Sequence, residues 1–144
     1  MPLIQIAPSL PPGVVLNAAT LWSELAALAV ERGMDRERLI ADPGLDFGKN
    51  TFHSLELMRR LPELVAFGLP VLIAASRKDI VGETLGVGLE DRLEGSLAVV
   101  ALAVAAGAAM VRVHDVEASV RTVQMVEAIM GTARPRAPVR GLWE

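Results

Sequence analysis

The stretch PVLIAASRKD, Pro70 to Asp79, changes character at Ser76: six residues with no charge among them give way to a hydroxyl, two cations and a carboxylate. Continuous rather than alternating apolar residues from Pro70 to Ala75 predict a strand buried on both faces, the pattern of a parallel sheet covered by helices. Two other runs have the same shape. RLIAD, Arg38 to Asp42, ends in a carboxylate ahead of Pro43 and Gly44, and AMVRV, Ala109 to Val113, runs into His114 and Asp115. The strand ends Asp42, Ser76 and Arg112 lie 34 and 36 residues apart, which leaves room for one helix in each interval. That is a βα repeat, and in α/β sheets and (β/α)₈ barrels alike the polar residues at the carboxyl ends of the strands build the site.

Helical spacing fills the intervals. TLWSELAALAVERG starts at Thr20 as N-cap, carries Leu21, Leu25, Leu28 and Ala29, and closes at Gly33. A second helix is expected to open at Ser54 with Leu57, Leu61, Leu64 and Val65, with Pro62 kinking or restarting it, and to end at Gly68. Residues 79–88 read as loose chain. Leu89, Leu93, Leu97, Val100 and Val104 mark a third helix among alanines, and Val116, Val120, Val123, Val126 and Met130 a fourth, closed by Gly131. Residues 1–20, broken by Pro2, Pro8, Pro11 and Pro12, read as an irregular lead-in with at most a short strand at Gly13 to Leu16. Residues 132–144 read as a flexible, locally basic tail.

The chain has 144 residues, 52% of them hydrophobic and 22% charged, which suffices for one domain with a real core. Aromatic residues make up 3% and the net charge is −3, which argues against nucleic acid as a partner. Without cysteine there is no disulfide, thiolate metal site or cysteine nucleophile. The longest apolar stretch, Leu97 to Val111, is interrupted by Gly107, and the first residues lack a basic signal region, so the expectation is a cytoplasmic protein that neither crosses nor binds a membrane.

Three clusters carry chemistry. Asp42 at its strand end can accept two parallel hydrogen bonds from an amidine-like edge, as in a guanine or pterin ring, or can simply cap its own loop. Gly44, Gly48 and Lys49 imitate a nucleotide-binding loop, but the spacing is one residue short and Asn50 replaces the hydroxyl such a loop needs. Ser76, Arg77 and Lys78 suit an anion or a polar heterocycle, the plainer alternative being two cations leading out to solvent. Arg112 and His114 alternate, so in an extended chain they share a side and, with the following helix N-terminus, can hold phosphate. His53 reads as an ordinary loop or helix-start residue, and Asn17 carries too weak a signal to assign.

In this order DPGLDFGKN (42–50), SRK (76–78), DRLEGSLAVVALAVAAGA (91–108) and VRVHDV (111–116) resemble the C-terminal portion of the dihydropteroate synthase family over about Leu21 to Gly131. The resemblance implies a pterin-binding (β/α)₈ barrel, here a partial one of about the last three parallel βα units spanning 21–131. It implies a transferase of folate biosynthesis, which couples a pterin methyl diphosphate to 4-aminobenzoate and releases diphosphate. Asp42 and Lys78 would hold the pterin, and Arg112 and His114 the diphosphate. The family uses Mg²⁺, whose ligand segment is missing here, so no residue is assigned to metal or as catalytic. The family's late helices form a dimer interface, and unpaired outer strands need covering, so a homodimer is expected. Asp46 and Asp79 depart from the family pattern, where glycine and an uncharged or basic residue are usual. Two further carboxylates disfavour an anionic aminobenzoate, which keeps open a pterin- or phosphate-binding paralogue or interaction protein without catalysis.

Overall fold

A computed structural model describes residues 3–5 and 18–140. In chain order it contains strand β1 (Leu3–Gln5), helix α1 (Ala18–Glu31), a 3₁₀ turn at Arg36–Arg38, β2 (Ile40–Asp42), α2 (Thr51–Arg59) and α3 (Leu61–Val65). There follow β3 (Leu72–Ile73), α4 (Asp79–Leu85), a second 3₁₀ turn at Leu89–Asp91, α5 (Leu93–Ala105), β4 (Met110–Val111) and α6 (Val116–Ile129).

All strand pairing among the described residues is parallel. Leu3 stands opposite Ile40 and Gln5 opposite Asp42; Leu72 stands opposite Met110 and Ile73 opposite Val111. A parallel bridge between Ala41 and Val71, with the Ala41 N–H donating to the Pro70 carbonyl at 2.8 Å, joins the two pairs in the order β1-β2-β3-β4. Consecutive parallel neighbours require a crossover between them, and the helices supply it. β2 is buried at all three positions, as its continuous apolar run predicts, whereas β4 is only half-buried. The core is made by Trp22 and Ala26 of α1, Leu57 of α2, Leu61 and Leu64 of α3, Ile80 and Val81 of α4 and Ala103 of α5, closing on Leu39, Ala41, Val71 and Ile73. Glycine lets α4 and α5 meet: a Cβ on Gly95 would lie 2.4 Å from Val81 Cγ1. α6 buries only Ser119 and leaves Val116, Val120, Met125 and Ile129 exposed.

The α/β class with parallel strands is as expected, and several boundaries are not. The lead-in contains β1, so at least four strands rather than three are present; a three-residue strand between prolines has no pattern of its own and is defined by β2. The strand expected at 13–16 and Asn17 lie outside the described residues. α1 begins at Ala18, ahead of Thr20. The second helix begins at Thr51, not Ser54, because Asn50 accepts the His53 N–H at 2.9 Å while the His53 ring receives the Asn50 N–H, a capping box. This places His53 at the helix start, as read. Pro62 restarts the helix as α3 within its first turn. Residues 79–85 are helical rather than loose, and regular helix in the third segment begins at Leu93, after the 3₁₀ turn. β4 stops at Val111, although the Arg112 N–H still reaches the Ile73 carbonyl at 2.9 Å. Beyond α6 the Thr132 and Ala133 N–H groups both bond the Glu127 carbonyl, and the described tail has neither helix nor strand. No helix among the described residues is long and apolar enough to cross a membrane.

Candidate functional site

The carboxyl ends of β2, β3 and β4 form one rim. Asp42 ends β2 at 5% exposure, and one of its oxygens accepts the Gly44 N–H at 2.8 Å. It therefore does cap its own loop, and the second oxygen accepts nothing from the described residues. The loop that follows is a sequence of left-handed turns, with φ of 65° at Gly44, 66° at Asp46 and 61° at Gly48. This coiling brings two loop carbonyls round Lys49, whose Nζ donates to Gly44 and Phe47, each at 3.1 Å.

Lys78 comes to the same place from β3. Its ammonium donates to the Leu45 carbonyl at 2.9 Å and lies 4.6 Å from the centre of the Phe47 ring. Burial holds both lysines below the ordinary amine range, while Asp42 and then Asp46 pull Lys78 part of the way back; Arg112 adds to the lowering. For Lys49 burial again dominates, opposed first by Asp42. The carboxylate of β2 and the ammonium groups beside it thus form one electrostatic unit. A cavity of about 120 Å³ opens among Ala74, Ser76, Lys78, Arg112, Val113 and His114. Ser76 Oγ accepts the His114 N–H at 3.2 Å and lies 3.2 Å from the ring Nδ1, which fixes the imidazole at the cavity wall.

Lys78, Arg112 and His114 therefore share a pocket, and Asp42 stands within electrostatic reach of Lys78. Arg77, the other cation of the triplet, does not line it. Its guanidinium forks onto Asp115 at 3.0 and 2.6 Å, which keeps that carboxyl below its ordinary range. Strand-end logic put Ser76 in the anion cluster, but did not single out Phe47, or Lys49 as a second ammonium. The only sequence signal for Lys49 was its place in the glycine loop.

Asp46 and Asp79 are engaged within the chain. Asp46 accepts from Ser54 Oγ at 2.8 Å and from the Ile80 N–H at 2.9 Å, while its own N–H donates to Ser54 Oγ at 3.1 Å. Asp79 accepts from Arg92 at 3.1 Å. These carboxylates buckle the loop, α2, α4 and α5 together. Among the described residues no three His, Asp or Glu side chains cluster as metal ligands.

The family model described as pterin binding enzyme matches residues 13–114. The "inactive dihydropteroate synthase 2" of Mycobacterium tuberculosis is 53% identical over 130 residues, covering 90% of this chain and 41% of the relative. The dihydropteroate synthase of Escherichia coli is 43% identical over 107 residues, 74% of this chain and 38% of that one. Among solved structures, the Yersinia pestis enzyme with a pterine-sulfa conjugate superposes with a TM-score of 0.85 at 32% identity, covering 91% of this chain and 52% of that one. The Xanthomonas albilineans enzyme with 7,8-dihydropteroate gives 0.84 at 35% identity, covering 94% and 51%. The chain thus spans about two fifths of those curated relatives and about half of those solved chains.

Proposed function

The chain belongs to the pterin-binding enzyme family, and from that premise we propose that its rim holds a pterin ring between Asp42 and Lys78 and a diphosphate between Arg112 and His114. Asp42 accepts hydrogen bonds from the amidine edge of the ring, and Lys78 donates to the ring's acceptor side. Arg112 and His114 meet the charge that gathers on diphosphate as its C–O bond to the pterin methylene breaks. The nitrogen of 4-aminobenzoate forms the new bond to that carbon and gives up a proton. The single observation that carries this reading is the shared cavity of Lys78, Arg112 and His114 with Asp42 in electrostatic reach. The parallel βα units are read as part of a (β/α)₈ barrel, the protein as cytoplasmic, and the assembly as a homodimer.

A second reading, a pterin- or phosphate-binding paralogue without coupling chemistry, is favoured by one observation: the 53% identical mycobacterial relative bears the name inactive. Calorimetric titration of pterin methyl diphosphate, followed by measurement of diphosphate release with 4-aminobenzoate, separates the two. Binding with release supports the transferase. Binding without release supports the paralogue, and absence of binding overturns both.

A further inference from the structure

Arg77 has φ +57°, a left-handed backbone that a residue of its size adopts only when its surroundings impose it. The surroundings do so through all three of its polar groups. Its side chain is forked on Asp115, its N–H donates to Ser96 Oγ at 3.0 Å, and its carbonyl accepts from Arg92 Nη1 at 2.8 Å. Ser96 in turn donates to the Arg92 carbonyl at 2.6 Å, so the peptide groups on both sides of Arg77 are gripped from the start of α5.

Arg92 is itself fixed from two sides. Its guanidinium occupies the space over Gly82 of α4: a Cβ there would lie 2.3 Å from Cζ and Nη2. Its Nη1 also donates to Asp79, the residue next along from Lys78. The arrangement is close enough that Arg92 Nε is buried with no acceptor. Burying the Nε–H without an acceptor is costly, and the hydrogen bonds of the guanidinium all go to residues that flank Lys78. Arg92 does not line the cavity.

We propose that Arg92 is the positioning residue of this rim: seated on Gly82, it holds the Arg77 carbonyl and Asp79, and thereby sets the turn from which Lys78 reaches the Leu45 carbonyl and the Phe47 ring beside Asp42. The ligand consequence rests on the reading of Lys78 as a pterin contact; the structural consequence does not. Asp79, outside the family pattern, gains a role here as the second acceptor for Arg92.

The test uses the full chain with Gly82→Ala, which leaves every donor in place but displaces the guanidinium, and Arg92→Lys, which keeps charge and one donor. Lys49 and Lys78 are the only lysines, so lysine-selective carbon NMR follows each ammonium separately. Lys78 should titrate nearer the ordinary amine value in Gly82→Ala, with Lys49 moving much less and Arg92→Lys falling between. Pterin methyl diphosphate should bind about tenfold more weakly to Gly82→Ala, about one charge-assisted hydrogen bond, and show no further loss when Lys78→Ala is already present. An unmoved Lys78 signal in folded variants, or an equal loss of binding in both backgrounds, overturns the proposal. If Lys78→Ala binds the pterin as tightly as the parent chain, the pterin reading falls, and the Lys78 signal still decides the role of Arg92.

Discussion

Replacing Asp46 by glycine puts two effects in direct opposition. Glycine removes the penalty of a side chain at φ 66°, worth about 1 kcal/mol, because it enters the left-handed region freely. It also removes a carboxylate that accepts from Ser54 Oγ and from the Ile80 N–H. Hydrogen bonds to a charged group contribute about 1.5–3 kcal/mol each, and a buried donor left without a partner incurs its full desolvation cost. Both bonds are part-buried, so water softens the loss towards the lower end of that range, although Ser54 and Ile80 are themselves buried. The expected net loss is therefore about 2–3 kcal/mol, a large part of the 5–15 kcal/mol that ordinary domains possess. For a chain of this size that lowers the melting midpoint by roughly 5–10 °C. Urea denaturation with and without Asp46→Gly, alongside the milder Asp46→Asn, measures it. A glycine variant as stable as the parent, or more so, would show that the strained turn outweighs the buckle and that the carboxylate does not hold the loop to α2 and α4.

Four other outcomes are expected. Arg112→Ala should weaken inorganic diphosphate by about 1.5–3 kcal/mol in calorimetry, and an unchanged affinity removes Arg112 from the site. Because burial lowers the amine pKa of Lys49 and Lys78, their neutral form is favoured in the folded chain; stability should rise as pH climbs from those lowered values towards the unfolded one. Diphosphate affinity should fall over the same alkaline range, as the cations are lost, and an affinity flat in pH there would mean that the lysines do not face the anion. Light scattering at micromolar concentration should give twice the 15.3 kDa chain mass, since α6 leaves Val120, Met125 and Ile129 exposed. A cooperative 15.3 kDa monomer contradicts that.

The parallel sheet was legible because PVLIAA and RLIAD are apolar without alternation, and that pattern depends only on burial of both faces. Asp42, Ser76 and Arg112 stood out for the same reason, as the first polar residues after such runs, with His114 two residues on, whereas only the family resemblance separated Lys78 from Arg77. What the sequence hid depends on contacts between distant residues. DIVGETL contains a glycine and two acids and looks like a poor helix, until Gly82 is seen to make room for a guanidinium ten residues on. Asp46 looked like a stray charge near a substrate, because its partners stand 8 and 34 residues away. Leu3–Gln5 has no strand signature and needs Ile40–Asp42 to define it.

Placing both lysines at one rim, while the other cationic side chains are twelve arginines, makes the molecule chemically addressable. Guanidinium groups do not react with mild acylating or aldehyde reagents, and amines do so through the unprotonated form. The burial that lowers the amine pKa of Lys49 and Lys78 enlarges that form, so an amine reagent, read at the two lysines apart from the α-amine, acts as a covalent footprint of the rim. A ligand seated between Asp42 and Lys78 would be read directly as protection from it.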